Sequence, residues 1–264
     1  MTFTRSGETD YAITGAGPTI VLVHGLGMTR AMWAPLLPAF AARFRVVSYD
    51  LAGLGNSPPP VDPVVLGSFS GQLARLMDEL AIAAAPVIGF SLGGMIVRRF
   101  ALDHPARVAA MVVLNSPHDR TSQERDAVRL RVEQVRRDGP GATIDGAIER
   151  WFTPAYQAAH PEAIADIRAT ILRNKRAVYA KLYAVLAEGE PELAAAVAAI
   201  SAPTLVMTCD DDRGNTPDMS RRMAALIPGA ELAIVPGLRH MGLWEAPDRF
   251  TGPIIDVLTR RLGS

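Results

Sequence analysis

The sequence predicts an α/β protein built on a mostly parallel central sheet with helices on both faces. Short apolar runs rich in β-branched residues alternate along the chain with segments whose apolar residues recur at helical spacing. This alternation is typical of βαβ units, and uninterrupted apolar runs indicate strands that are buried on both faces of a parallel sheet. One long, charged segment breaks the alternation, because it has helical spacing throughout and no strand pattern.

Each predicted element follows from one of these patterns. The apolar runs predict six strands: Thr19–Gly25, Phe44–Asp50, 86–90, Val108–Asn115, Pro203–Cys209 and Ala230–Pro236. Helical spacing predicts helices at Phe69–Leu80, Gly93–His104, Pro217–Ile227 and Pro247–Leu262. We expect a core domain of residues 1–117 and 200–264, and a helical cap of residues 118–199 inserted after the fourth buried strand. The cap should lie over the carboxyl edge of the sheet, where open α/β sheets bind ligands.

Composition excludes several classes of protein. The formal net charge is zero and no block of like charge stands out, so we expect no nucleic-acid partner. No apolar run is long enough to span a membrane and the N-terminus has no apolar signal core, so we expect a cytoplasmic protein. The single cysteine, Cys209, excludes an intrachain disulfide. Histidine spacing does not fit zinc, and no glycine-rich loop fits a nucleotide, so neither a metal nor a cofactor is predicted. The oligomeric state stays open.

The stretch VIGFSLGGMI places one serine, Ser91, among glycines directly after a predicted strand. GFSLG matches the G-x-S-x-G pattern of a nucleophile elbow, a strained strand-to-helix turn that exposes a serine hydroxyl. Gly89 and Gly93 would let the helix pack closely on the strand, and the helix N-terminus offers unpaired amides to a developing oxyanion. We therefore predict Ser91 as a nucleophile. The alternative is a serine that only caps the helix.

A serine nucleophile needs a general base, and the base needs a group that orients it. His240 follows the last predicted strand and should emerge at the same edge of the sheet as Ser91, so we predict it as the base. The acid should be one of the three aspartates at 210–212, after the fifth predicted strand. The chain order Ser, Asp, His then agrees with the order expected for a nucleophile elbow. Asp119 is a rival acid.

An oxyanion site needs two donors aimed at the developing charge. The backbone N–H of Leu92 should supply one, and that of Leu26 the other, with Gly27 as the second choice. Arginines at 150, 168, 173 and 176 suggest a solvated face, although one of them could meet a substrate carboxylate. Aromatic residues of the cap could line its inner face, Tyr179 and Tyr183 among them. The candidates for substrate contact are His24, Gly27, Trp151, Phe152 and Tyr156.

Taken together, these segments resemble the α/β-hydrolase fold superfamily. The matching segments are VLVHGLG, YDLAGLGNS, GFSLGG, PTLVMTCDDD and PGLRHMGLWEAPDRF. Within the superfamily the chain is most similar to 3-oxoadipate enol-lactonases and related small serine carboxylesterases, whose cap resembles RWFTPAY at residues 150–156. The resemblance implies Ser91 as nucleophile, His240 as base and Asp212 as acid, with Asp211 still possible because of an extra residue before TP. It implies Leu26 and Leu92 as oxyanion donors.

These residues predict a serine hydrolase that cleaves a carboxylic ester or lactone of a small molecule through an acyl-enzyme. One alternative is a hydrolase that uses the same triad to break a C–C bond in a ring-cleavage product. Others are a perhydrolase side activity and a ligand-binding protein that turns over slowly. The pathway and the physiological substrate stay open.

Overall fold

The computed structural model of the chain describes residues 2–6 and 9–262. Within this range the strands form one sheet in the order β1-β2-β4-β3-β5-β6-β7-β8. The strands β1 and β2 are antiparallel to their neighbours, and all the other pairs are parallel. The bounds are β1 Thr2–Ser6, β2 Thr9–Thr14, β3 Thr19–Val23, β4 Arg45–Tyr49, β5 Ala85–Phe90, β6 Val108–Leu114, β7 Thr204–Cys209 and β8 Glu231–Val235.

The sequence did not predict the two N-terminal strands. Their composition is largely polar, so no apolar run marks them. Strand β2 pairs with β4 from Tyr11 opposite Tyr49 to Thr14 opposite Val46, and this pairing uses backbone groups that every sequence has. The six strands that were predicted are all present, with ends that differ by a few residues.

The helices connect and cover these strands. The α-helices are α1 Leu37–Ala41, α2 Leu66–Glu79, α3 Leu92–Asp103, α4 Ser122–Asp138, α5 Ile144–Trp151, α6 Pro154–Ala159, α7 Pro161–Leu172, α8 Arg176–Glu188, α9 Pro191–Ala194, α10 Pro217–Leu226, α11 Gly242–Glu245 and α12 Asp248–Leu262. Short 3₁₀ turns occupy Arg30–Trp33, Pro105–Arg107, Pro140–Thr143 and Ala196–Ala199. No helix in the described part of the chain is both long and apolar enough to cross a membrane.

The order in which the chain adds strands to the sheet reverses at β3. In open α/β sheets such a reversal marks the edge where ligands bind. The connection from β3 to β4 runs one way along the sheet, whereas those from β4 to β5 and from β5 to β6 run the other way. Right-handed crossovers therefore place α1 on one face and α2 and α3 on the other. Ligands bind outside the carboxyl ends of strands at such a switch point, which here lies between β3 and β5.

Register brings the carboxyl ends of the parallel strands to one edge. Phe90, the last residue of β5, pairs with Leu114 at the end of β6, which in turn pairs with Met207 in β7. Cys209 pairs with Val235, the last residue of β8. The loops that carry Ser91, Asp212 and His240 therefore all leave the sheet on the same side.

Residues 118–199, called the helical insert below, contain helices α4 to α9 and no strand. Helix α4 begins with a capping box, in which Thr121 Oγ1 accepts from the Glu124 N–H at 3.3 Å and Glu124 Oε2 accepts from the Thr121 N–H at 2.7 Å. It ends at Gly139, whose φ of 86° favours glycine.

Candidate active site

The glycines around Ser91 allow a close approach of strand, turn and helix. A Cβ on Gly89 would lie 2.2 Å from the Gly93 carbonyl oxygen, and one on Gly93 would lie 2.2 Å from the Val23 oxygen of β3. Ser91 itself has φ 54° and ψ −113°, a strained conformation for a residue with a side chain. The turn therefore has the strand–turn–helix context and the backbone strain of a nucleophile elbow.

A buried arginine, Arg98, stabilises the turn at Ser91 through hydrogen bonds. The Arg98 guanidinium is fully buried in α3 and donates to the Gly94 and Pro117 carbonyls at 3.0 and 2.7 Å. It also donates to Ser116 Oγ at 3.0 Å, and that hydroxyl donates to the Ser91 carbonyl oxygen at 2.8 Å. Because each buried donor has an acceptor, this network can hold the strained turn in one conformation.

His118 is buried beside Arg98, so its protonation should cost folding stability. Its Nδ1 lies 3.5 Å from an Arg98 nitrogen. Burial first, and the Arg98 charge second, lower the pKa of His118 to about 4. In the unfolded chain a histidine titrates near 6.5. The contribution of the neutral His118 ring to the free energy of unfolding is therefore fully present above about pH 6.5 and is lost as the pH falls towards 4.

We expect the free energy of unfolding to fall by about 2 kcal/mol through this one residue between pH 7 and pH 4.5. A His118→Gln variant should lack this contribution, so its stability should fall less over the same interval. Urea unfolding at the two pH values measures the difference. His160→Gln, at a half-exposed histidine, is the matched control. The explanation is wrong if His118→Gln and the wild type lose equal stability on acidification.

His240 and Asp212 form a buried pair at the carboxyl edge of the sheet. The His240 Nδ1 lies 2.7 Å from Asp212 Oδ2, and both side chains are almost inaccessible to solvent. Asp212 Oδ2 also accepts from Asn115 Nδ2 at 3.0 Å, while Oδ1 accepts from the Gly214 and Asn215 amides at 3.0 Å each. Four donors thus hold the carboxylate in place, and the carboxylate in turn orients the imidazole through Nδ1. The other ring nitrogen, Nε2, takes no part in this pair.

Two of the competing acids, Asp211 and Asp119, lie away from His240. Asp211 is on the surface, where it pairs with Arg239 at 2.9 Å and Arg213 at 3.2 Å. Hydrogen bonds from Arg239 and then Arg213 hold the pKa of the Asp211 carboxyl below its usual range. Asp119 is also exposed and lies 3.4 Å from Arg222. The acid beside His240 is therefore Asp212.

A cavity of about 80 Å³ lies between the sheet edge and the helical insert. Ser91, Asp212 and His240 all contribute to its wall. His240 also contacts the aromatic rings of Phe90 and Trp151, with centroid distances of 4.8 and 6.1 Å. From the sheet side the cavity is lined by Gly25, Leu26, Met28, Phe90, Gly214, Asn215 and Met241, and from the insert by Arg120, Val128, Arg131, Thr143, Ala147, Arg150, Trp151, Tyr179, Tyr183 and Leu186.

Four of the predicted substrate contacts lie outside this wall. The His24 ring is fully buried: Nδ1 donates to the Gly25 carbonyl at 2.8 Å and Nε2 accepts from the Leu51 amide at 2.9 Å. Burial lowers the pKa of His24, which favours the neutral ring that this geometry needs. The backbone thus engages both ring nitrogens of His24, and a contact of this residue with substrate stays a prediction.

The other three residues outside the wall are Gly27, Phe152 and Tyr156. Gly27 packs beneath the insert, where a Cβ would lie 2.7 Å from the Ile171 side chain. The ring of Phe152 is fully buried and stacks on Tyr156 at 5.3 Å, away from the cavity. Phe152 is buried and Tyr156 is half-buried, and the two rings pack against one another. Trp151 lines the cavity, and its contact with substrate stays a prediction.

The predicted oxyanion donors flank the cavity. Leu26 follows β3 and contributes to the cavity wall. Leu92 is the first residue of α3, so its N–H has no acceptor one turn earlier in that helix. Both residues therefore stand where the chain can present a backbone N–H beside Ser91, and their role stays a prediction.

Three arginines give the cavity a positive charge, and only one of them was a candidate from the sequence. Arg120, Arg131 and Arg150 line the wall, whereas the only carboxylate among the lining residues is Asp212, which His240 engages. Burial lowers the pKa of Arg120 to about 10 and also lowers the pKa of Arg150. The charge of Arg131 lowers both of these pKa values as well, so Arg131 lies close enough to Arg120 and to Arg150 to repel each of them.

The other arginines proposed for a solvated face do lie on the surface. Arg168 pairs with Asp145, Arg173 donates to Thr170, and Arg176 donates to a backbone carbonyl. Nothing in the sequence separates them from Arg150, because all belong to amphipathic helices or their ends. Asn115 was missed as well, although its position at the end of β6 is the same signal that identified the other polar residues at this edge.

The helices that cover the cavity are tied to the loop that carries His240. The Met241 amide donates to the Trp151 carbonyl at 2.8 Å, and Arg239 Nη1 donates to the Glu149 carbonyl at 2.7 Å. Within the described residues no group of three or more potential metal ligands comes together.

A strained serine elbow, a buried His–Asp pair and a switch-point cavity on this sheet define an α/β hydrolase. The sequence profile described as the alpha/beta hydrolase family matches residues 20–252, so this chain belongs to that family. The resemblance predicted from the sequence and the predicted fold class are thereby confirmed.

Relatives of this chain within the family carry several hydrolase names. It is 29% identical over 241 residues to (E)-2-((N-methylformamido)methylene)succinate hydrolase of Acinetobacter baylyi, covering 90% of this chain and 89% of that protein. It is 27% identical over 255 residues to 3-oxoadipate enol-lactonase 2 of the same organism, covering 95% and 93%. The crystal structure of the enol-lactonase from Burkholderia xenovorans LB400 superposes with a TM-score of 0.88 and 29% identity, covering 98% of this chain and 100% of that one.

Proposed function

We propose that this protein is a serine hydrolase that cleaves a carboxylic ester or lactone of a small molecule bearing a carboxylate group. The observation that carries the proposal is the meeting of Ser91 with the His240–Asp212 pair in one cavity, at a nucleophile turn. A serine hydroxyl becomes a useful nucleophile when an oriented imidazole removes its proton.

The proposed reaction uses each of these groups in turn. His240 Nε2 takes the Ser91 proton as Oγ attacks the carbonyl carbon, and the Leu26 and Leu92 amides stabilise the oxyanion. The imidazolium then returns the proton to the leaving alkoxide, and the ester C–O bond breaks to leave an acyl-enzyme. Water attacks the acyl carbon, His240 takes its proton and passes it to Ser91 Oγ, and the acid is released. Asp212 keeps Nδ1 protonated throughout.

The arginines of the cavity support a negatively charged substrate. Neither Arg131 nor Arg150 makes a side-chain hydrogen bond or salt bridge to another described residue, and both border the cavity. A substrate carboxylate would relieve their mutual repulsion and accept charge-assisted hydrogen bonds. The names of two relatives also contain acids, a succinate and an oxoadipate.

The Arg150→Ala variant tests this assignment with two esters of similar length. We expect kcat/KM for p-nitrophenyl hydrogen succinate to fall about 10- to 100-fold, the cost of a lost hydrogen bond to a charged group. For p-nitrophenyl butyrate, which lacks the carboxylate, kcat/KM should stay within about threefold, since no such bond is lost. Initial rates of nitrophenolate release measure both.

Arg168→Ala is the matched control, because Arg168 belongs to the same insert but pairs with Asp145 on the surface. It should leave both esters unaffected. An equal loss on the two esters in Arg150→Ala would contradict a carboxylate-binding role. Since the insert supplies Arg150, Trp151 and both tyrosines, we also infer that residues 118–199 act as a cap that selects the substrate.

A wider panel separates the proposed reaction from its alternatives. A dienol ketone from ring cleavage reports on C–C hydrolysis, and peroxide with acetate reports on perhydrolysis. Turnover of the esters and lactones above either of these supports the proposal. Tight retention of a ligand with little turnover would indicate a binding protein instead.

A further inference from the structure

The loop that follows β3, residues 25–28, is held by the core on one side. His24 Nδ1 donates to the Gly25 carbonyl at 2.8 Å, and the Met28 amide donates to the same oxygen at 3.3 Å. These bonds close a tight turn around Leu26, the residue whose N–H we assign to the oxyanion. The Gly27 carbonyl takes no part in these two bonds.

The helical insert holds the other side of the loop through Asn174. This residue lies between α7 and α8, and its Nδ2 donates to the Gly27 carbonyl at 3.0 Å. The same amide nitrogen donates to the Ile171 carbonyl at 2.9 Å and lies 3.3 Å from the Thr170 carbonyl oxygen. The C-terminal end of α7 therefore fixes the amide, and the amide fixes the Gly27 carbonyl.

Packing closes the space above Gly27. Its φ is 73°, and a Cβ there would lie 2.7 Å from Ile171 Cδ1 and 2.8 Å from Tyr179 Cε2. Helices α7 and α8 thus rest directly on the loop backbone. Glycine has the freest backbone of any residue, so its own conformation does not fix the peptide group that follows Gly27. The orientation of that group therefore depends on the hydrogen bond that the Gly27 carbonyl accepts.

We infer that Asn174 is a positioning residue for the oxyanion site, which it orients by holding the Gly27 carbonyl. The helical insert is then a structural part of the oxyanion site as well as a wall of the cavity. The inference rests on the serine-hydrolase function proposed above. Its physical basis is that an oxyanion donor acts only when it is aimed in advance, and a displacement of about 1 Å is costly.

The Asn174→Asp and Asn174→Ala variants remove the donor, and the first of them keeps the shape of the side chain. We expect kcat for p-nitrophenyl butyrate to fall about tenfold, less than the roughly 100- to 1,000-fold cost of deleting an oxyanion donor. KM should stay within about threefold, because ground-state binding does not use the oxyanion site. Rates are expressed per active site titrated with a fluorophosphonate.

Inhibitor binding separates positioning from a loss of stability. Butylboronic acid forms a tetrahedral adduct with a nucleophilic serine, and its affinity should fall by about the same tenfold factor as kcat. The affinity for butyrate, which forms no adduct, should stay unchanged. Arg173→Ala is the matched control, since this neighbouring side chain is exposed and donates only to Thr170.

Two results would overturn the inference: kcat and boronate affinity within twofold of the wild type, or equal losses of boronate and butyrate binding. A lower melting temperature with unchanged kcat per titrated site would reduce Asn174 to a structural role. A wild-type protein that hydrolyses no ester overturns the proposed function, and this inference with it.

Discussion

Replacing Ser91 by alanine is expected to lower kcat by about 10⁶, the effect of removing the nucleophile from a serine triad. Alanine keeps the backbone position and removes only the oxygen that attacks the carbonyl. The variant should fold, because the hydroxyl of Ser91 makes no hydrogen bond that supports the turn; the carbonyl oxygen of Ser91 does this through Ser116. The release of nitrophenolate under saturating ester measures the loss.

A fluorophosphonate probe gives a second readout for the same residue. The wild type should gain one adduct by intact mass, and peptide mapping should locate it at Ser91. The Ser91→Ala variant should gain none, whereas Ser122→Ala, at an exposed serine that begins α4, should react as the wild type does. Modification at any other residue, or activity within tenfold of the wild type, would remove Ser91 from the mechanism.

The Asp212→Asn variant is expected to lower kcat by about 10⁴, by analogy with the same change in a serine protease. The carboxylate accepts a hydrogen bond from His240 Nδ1, so it selects the tautomer whose Nε2 can take the proton of Ser91. An asparagine presents a donor to the same nitrogen and favours the opposite tautomer. The geometry can survive while the base is disabled, so KM should change far less than kcat.

Asp211→Asn is a control matched in charge and in position along the chain. Asp211 faces solvent and pairs with Arg213 and Arg239, and a surface pair contributes only about 0–1 kcal/mol. Its kcat should therefore stay within roughly threefold of the wild type, since nothing at the imidazole changes. A loss in Asp211→Asn as large as that in Asp212→Asn would assign the acid to the wrong residue.

The contrast between these neighbouring aspartates shows where sequence reasoning stops. The three carboxylates at 210–212 have the same chemistry and follow the same strand. What separates them is the turn after β7, in which the Gly214 and Asn215 amides close on Asp212 Oδ1 and bring Oδ2 to His240. Two of these contacts are local, but the one with His240 joins residues 28 positions apart.

In the helical insert, sequence reasoning decides even less about which side chains reach the cavity. Its sequence offers many aromatic and cationic side chains at helical spacing. Trp151, Tyr179 and Tyr183 reach the cavity, while Phe152 and Tyr156 pack on each other. Among the arginines considered from the sequence, Arg150 turns inward. These outcomes depend on how each helix is rotated against its neighbours, which no single segment specifies.

The sequence by itself determined the α/β class, the six parallel strands and the position of Ser91 on a strand-to-helix turn. These features are local: β-branched runs favour strands, and the glycines beside Ser91 permit a turn that larger residues would block. Only the tertiary structure decided which aspartate meets His240, that His24 bonds the backbone, and which insert residues border the cavity. Those choices depend on side-chain directions set by packing between segments that are distant in the chain.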